Sequence, residues 1–165
     1  MSKYFLGSTL DDPIAEATRQ WRAHGWEEAA PGMAAVTTIT RVNRILVSRI
    51  EEALSPFGLT FARFEILRLL GFARDNELPM GKIGDRLQVH PASVTSAVKR
   101  LERDGLIERV PADHDNRIVL ARLLPDGRKT LEQATRRINE VFTSLELDTA
   151  TLQDLTAHLA AIRSD

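Results

Sequence analysis

Apolar residues return every three or four positions through much of the chain, and the interruptions fall on recognisable helix starts and stops. Asp12-Pro13 predicts a first helix, with Asp12 as its cap, running through Ile14, Ala17, Trp21 and Ala29 to an end near Ala30-Pro31-Gly32. A longer amphipathic run, Met33 to Leu54, carries Val36, Ile39, Val42, Leu46, Ile50 and Leu54 on one stripe until Pro56-Phe57-Gly58 stops it. Thr60 then caps a helix through Phe61, Phe64, Ile66, Leu67 and Leu70, and Asp75-Asn76 with Pro79 marks the loop after it. Met80 to Leu87 predicts a short helix. Gln88-Val89-His90 forms a turn into Pro91, and Val94, Val98 and Leu101 trace the buried side of the next helix until Gly105 ends it.

The period then changes. Leu106 to Val110 and Arg117 to Leu123 have the composition of short strands, joined by the polar loop Pro111 to Asn116, which predicts a β-hairpin. Pro125-Asp126-Gly127 precedes a long helix marked by Leu131, Ala134, Ile138, Val141 and Leu145, and Leu152, Leu155, Leu159 and Ile162 mark a terminal one. The sequence has no internal repeat or low-complexity stretch.

Two helices joined by a tight turn let the first brace the second, whose N-terminal half can then enter a DNA major groove. With Val94, Val98 and Leu101 inward, the outer surface carries Ser93, Thr95, Ser96, Lys99, Arg100 and Arg103. Small hydroxyls permit close approach to base edges, and the cations beyond them can grip the backbone. Taken alone, these residues would equally suit the solvated face of any amphipathic helix. The hairpin tilts the reading towards DNA, because its tip carries His114, Asp115, Asn116 and Arg117. Arginine suits the negative potential of a narrow minor groove, and an aspartate two positions earlier can hold the guanidinium by a charge-assisted hydrogen bond. The expected fold is mainly α with a small β-hairpin wing: a winged helix-turn-helix flanked by N- and C-terminal dimerisation helices.

Composition constrains this picture. A chain of 165 residues with 43% hydrophobic and 27% charged fits one compact domain. No apolar run reaches the roughly 20 residues needed to span a bilayer, and Met1 to Pro13 lacks the order of a signal peptide, so a cytoplasmic protein with no membrane partner is expected. The absence of cysteine excludes disulfides, thiolate metal sites and cysteine nucleophiles. His24, His90, His114 and His158 are scattered with no zinc-site spacing, so no metal, cofactor or catalytic set is expected. At the turn, His90 reads as a helix cap or phosphate neighbour. The Glu27-Glu28 pair reads as a solvated helix end and not as an acid and base. A net charge of -1 counts against DNA binding unless the cations converge on one surface, and it keeps open a winged helix that binds protein instead.

The run from Asp85 to Gly127 resembles the DNA-binding core of the MarR family: Gly105-Leu106-Ile107 leads into the wing, Asp115-Asn116-Arg117 gives its Asp-x-Arg, and Leu123 to Gly127 gives the closing Leu-x-Pro-x-Gly. The resemblance extends from about Ala34 to the C-terminus; the helix from Asp11 to Ala30 is an addition. It implies a homodimeric transcription regulator, most simply a repressor, on a pseudopalindromic site of double-stranded DNA. Ser93, Thr95, Ser96 and Lys99 would meet the major groove, and Arg117, oriented by Asp115, the minor groove. Residues 1–58 and 124–165 would serve dimerisation and 59–123 DNA binding. Where two adjacent basic residues are common, this wing has Asn116-Arg117-Ile118, so minor-groove grip falls to Arg117.

Many relatives respond to small anionic or aromatic effectors. Trp21, His24 and Trp26, with Arg41, Arg44 and Arg49 on the following helix, could supply such a pocket, although tryptophans more often anchor cores or interfaces. The added helix is similar to that of the urate-responsive branch, whose acidic residue corresponds to Glu65. That branch has an arginine where this chain has Ala97, which argues against urate. Thiol-based redox sensing, used by another branch, is excluded without cysteine.

Overall fold

The computed structural model describes residues 12–113 and 115–163. Its elements are α1 (Pro13–Ala23), α2 (Ala30–Leu54), α3 (Phe61–Phe72), β1 (Glu77–Pro79), α4 (Met80–Leu87), α5 (Pro91–Arg103), β2 (Ile107–Ala112), β3 (Asp115–Leu123), α6 (Pro125–Thr143) and α7 (Thr149–Arg163). The strands form one antiparallel sheet in the order β1-β3-β2. The fold is thus mainly helical with a small β wing, as the pattern predicts. The single compact domain expected from composition resolves into two units, Met1–Arg49 and Ile50–Asp165, with the boundary inside α2.

In the first unit, Asp12 caps α1 by accepting the Ile14 N–H at 3.0 Å, with Pro13 in the first turn. The helix ends at Ala23, earlier than the periodicity suggests, because His24 caps it and Gly25 turns to φ +85°. Ala30-Pro31-Gly32, expected as a helix end, is instead the start of α2. Proline is tolerated there because the first turn leaves its N–H positions without helical partners anyway. Along α2, Val36, Ile39, Val42 and Ile45 are exposed, Val36 by 64%.

The second unit holds the core. Leu54, Ile66, Leu67, Leu70, Ile83, Val98, Leu101, Ile107, Leu131 and Ile138 are fully buried. Burying one such side chain contributes about 1.5–3 kcal/mol. Because α6 supplies Leu131, Ala134 and Ile138, it packs into the same core as α3, α4 and α5. Pro125-Asp126-Gly127 forms the first turn of α6 rather than a lead-in to it. Gly127 lies so close to the Leu106 carbonyl that a Cβ would fall 2.0 Å from its oxygen, so any side chain there would displace backbone. In α7, by contrast, no residue is buried, and Leu155, Leu159 and Ile162 are exposed.

The hairpin is longer than its composition suggests. Pairing of β2 with β3 runs from Ile107↔Leu123 to Ala112↔Asp115, with a register shift between Pro111 and Ala112, so most of the expected loop is strand. Pro111 ends up in the pairing beside this irregularity, where a residue without an N–H is tolerated. Three-residue β1, which the pattern does not predict, adds Leu78↔Ala121 to the other edge of β3. It is too short to carry a period.

Candidate nucleic-acid interface

The turn between α4 and α5 is fixed by backbone chemistry. Gln88 adopts a left-handed conformation (φ 53°, ψ 39°), and Nδ1 of His90 accepts the Ala92 N–H at 3.2 Å, capping α5 with Pro91 in its first turn. His90 is therefore a cap. Val94, Val98 and Leu101 are sealed in the core, which fixes the rotation of α5 and hence what its outer side presents.

That outer side has two flanks. Ser93, Ser96 and Arg100 line a hollow of about 480 Å³ facing Thr60 and Arg63 at the start of α3. On the opposite flank Thr95 lines a hollow of about 300 Å³ with Met80 and Asp85, and its hydroxyl donates to the Pro91 carbonyl at 3.0 Å. Lys99 is exposed and has no ion-pair partner among the described residues. Arg103 lies 3.3 Å from Asp104.

On the wing, the Arg117 guanidinium and Asp115 carboxylate meet in a two-pronged hydrogen bond: Nε donates to Oδ1 at 3.0 Å and Nη2 to Oδ2 at 3.1 Å. The Arg117 N–H also donates to Oδ1, at 3.0 Å. These contacts hold the Asp115 carboxyl below the usual aspartate range, so the brace stays charged well into acid. Arg117 is nevertheless 90% exposed, which leaves its outer edge open to a partner. His114 lies outside the described residues.

Two other cations of this unit are committed internally. Arg109 pairs with Glu102 at 2.7 Å, and Arg122 joins Glu77 of β1 at 2.7 Å and Glu108 of β2 at 3.2 Å across the sheet. The net charge of -1 thus hides an uneven distribution: Arg109 and Arg122 of the sheet are neutralised in place, while Lys99, Arg100 and the Asp115-braced Arg117 are exposed.

The residues considered for an effector fall in both units. In the first, the Trp21 and Trp26 rings lie 5.2 Å apart and the His24 ring stacks on Trp26 at 5.8 Å, so the three pack on one another. Arg44 is exposed on α2. In the second, Glu65 lines a cavity of about 230 Å³ with Phe61, Phe64, Arg68, Phe72 and Phe142. Burial pushes the Glu65 carboxyl above its ordinary range. Arg68 lies over the Phe72 ring at 4.3 Å and donates from Nη1 to Thr135 Oγ1 at 3.2 Å, while its buried Nε has no hydrogen-bond partner among the described residues. The sequence does not single out Arg68 or Arg63, and it gives Thr60 only as a helix cap, because only the packing of α3 against α5 and α6 gives them company. Among the described residues there is no cluster able to hold a metal and no helix long and apolar enough to cross a membrane.

Comparison with known proteins agrees with this architecture. Residues 57–118 match the model of the MarR family. The chain is 30% identical over 95 residues to the HTH-type transcriptional regulator YdgJ of Bacillus subtilis, an alignment covering 58% of this chain and 55% of that protein. It is also 30% identical over 108 residues to the regulator YhbI of the same organism, covering 64% and 69% of the two chains. A solved MarR family transcriptional regulator from Streptomyces coelicolor superposes with a TM-score of 0.72 at 41% identity, over 81% of this chain and 94% of that one. With the brace, the outward-facing helix and the Asp-Arg wing all in place on that fold, the chain belongs to the MarR family of winged-helix transcriptional regulators, proteins that bind DNA and are not enzymes.

Proposed function

We propose that this protein is a homodimeric repressor that binds a pseudopalindromic operator, with Ser93, Thr95, Ser96 and Lys99 of each α5 at the major groove and Arg117 of each wing in the minor groove. Arg100 and Arg103 would serve the backbone beside them. The observation that carries the reading is the Asp115–Arg117 pair, a guanidinium held by both prongs yet 90% exposed. Ordering a long side chain before it meets its target lowers the entropy lost on binding. The exposed apolar faces of α2 and α7 support dimerisation through the terminal helices. A two-fold dimer would present two α5 helices to successive turns of one face of the duplex. The compartment consistent with this role is the cytoplasm.

For an effector, the cavity around Glu65 supports a small aromatic anion. The rings of Phe61, Phe64 and Phe72 offer stacking, and Arg68 offers a cation with a donor to spare. Trp21, His24, Trp26 and Arg44 remain a second candidate group. Release would follow from an effector that binds better to a head spacing unsuited to the operator, since equal affinity for both states shifts nothing.

The decisive experiment is selection of bound duplexes from fragments of the source genome, followed by binding measurements across salt. Affinity should fall steeply as salt rises, as expected when phosphates are neutralised, and the recovered sites should be inverted repeats. No duplex binding at low salt would overturn the proposal in favour of a winged helix that binds protein.

A further inference from the structure

We infer that Arg63, on α3, seats a backbone phosphate of the bound duplex in the hollow between the start of α3 and α5, with Arg100 on the facing wall. The inference rests on the DNA-binding reading above and extends the contact surface beyond α5 and the wing.

Arg63 is held in place with donors to spare. Its side chain is only 11% exposed, its Nε donates to Thr60 Oγ1 at 3.3 Å, and Nη1 lies 3.5 Å from Asp104 Oδ2. Nη2 makes no hydrogen bond among the described residues. The charge around it does not balance. Arg100 and Arg103 both act on Arg63 as neighbouring positive charges, and Asp104, the one carboxylate acting on it, also lies 3.3 Å from Arg103. Burial first, and then Arg100, hold the Arg63 guanidinium below its ordinary value despite Asp104. Arg63 and Arg103 share the single carboxylate of Asp104, and Arg100 joins Arg63 in lining the hollow without a carboxylate of its own among the described residues, so the site carries an excess of positive charge that favours a further anion. The hydroxyls of Ser93 and Ser96 on the opposite wall add neutral donors, and guanidinium forks with hydroxyls match phosphate oxygens. Since this wall is the flank of the helix assigned to the major groove, the anion that passes it is the backbone of the same duplex.

The test uses the full chain and a duplex recovered by selection from a random-sequence pool. Binding is measured across salt for the wild type, R63Q, R63K and D104N, and repeated on duplexes carrying one neutral methylphosphonate linkage moved along the backbone. One phosphate contact contributes about 0.9 to the salt slope, or about fivefold in affinity at roughly 0.15 M salt. R63Q should lose that slope and that affinity, whereas R63K should keep the slope. One linkage position should weaken the wild type and leave R63Q unaffected. D104N, which keeps Arg63, should bind more tightly and be hurt more at that same position. If R63Q retains the wild-type slope and responds like the wild type at every linkage, or if D104N shows no heightened response, the inference is wrong while the DNA-binding reading stands. Failure of the wild type to bind any duplex would remove both.

Discussion

The inward stripe of α5 and the apolar stripe of α7 look alike in sequence but end differently. Val94, Val98 and Leu101 are sealed beneath α3 and the sheet, whereas Leu155, Leu159 and Ile162 have the same spacing and remain exposed, Ile162 by 64%. Val36 to Ile45 of α2, in the other unit, share the second fate. Periodicity reports which face of a helix is apolar; it does not report what covers that face. In this protein the DNA-reading head supplies its own cover, and the terminal helices present surface that a second chain can cover.

The comparison can be broken most directly at its covered side. Leu101→Ala should destabilise the head by about 2–5 kcal/mol, read as a lower urea midpoint, because the cavity it leaves is enclosed. Leu155→Glu combined with Leu159→Glu should do the opposite: self-association measured by sedimentation should weaken at least tenfold while the amide-exchange protection of α5 is retained. Loss of that protection would mean that α7 is covered within the chain after all. Arg117→Ala, at an exposed site outside the core, should leave the melting temperature unchanged but reduce duplex affinity by about ten- to a hundredfold across many sequences. Asp115 sharpens the same point through pH. Its carboxyl is held below the ordinary range, so the brace is present at neutral pH and is lost as pH falls through that lowered value; wild-type affinity should drop a few-fold only in that acid window, and Asp115→Asn should remove the pH dependence. The smallest effect is expected at half-buried Glu65. A raised acid pKa means that the ionised form carries a folding penalty, full above the raised value and absent below the ordinary glutamate range. Glu65→Gln should therefore raise the melting temperature slightly at neutral pH, with the gain vanishing in acid.

Much of the head was legible because each of its elements carries its own local signal. Thr60 and Pro91 mark helix starts, and the structure finds Thr60 Oγ1 accepting the Arg63 N–H at 3.4 Å and Pro91 in the first turn of α5. The errors fell where one signal has two meanings. Pro31 and Pro125 punctuate the chain, but a proline before a helical run can close one helix or open the next, and both open one here. Pro111 to Asn116 is polar enough for a loop, yet backbone pairing does not depend on side-chain polarity and carries the strands through most of it. The Asp115–Arg117 brace could be foreseen because its partners are two residues apart. The hollow beside Arg63 could not, since Thr60 and Arg63 are separated from Ser93 and Ser96 by some thirty residues and meet only when α3 packs on α5. The same holds for Arg68 and Thr135, joined across 67 positions.

Leu106 carries a consequence for exchanging specificity between relatives. Its N–H returns to the Leu101 carbonyl at 3.0 Å, closing α5, while its own carbonyl receives the Leu124 N–H at 3.0 Å and lies against Gly127. One residue thus fastens the end of α5, the root of the wing and the start of α6. A chimaera that takes α5 and the wing from a donor protein but keeps the host turn at Leu124–Gly127 would splice through this fastening. On the proposed DNA-binding role, the natural cassette for transplanting operator preference therefore ends after Gly127, not at the last residue of β3.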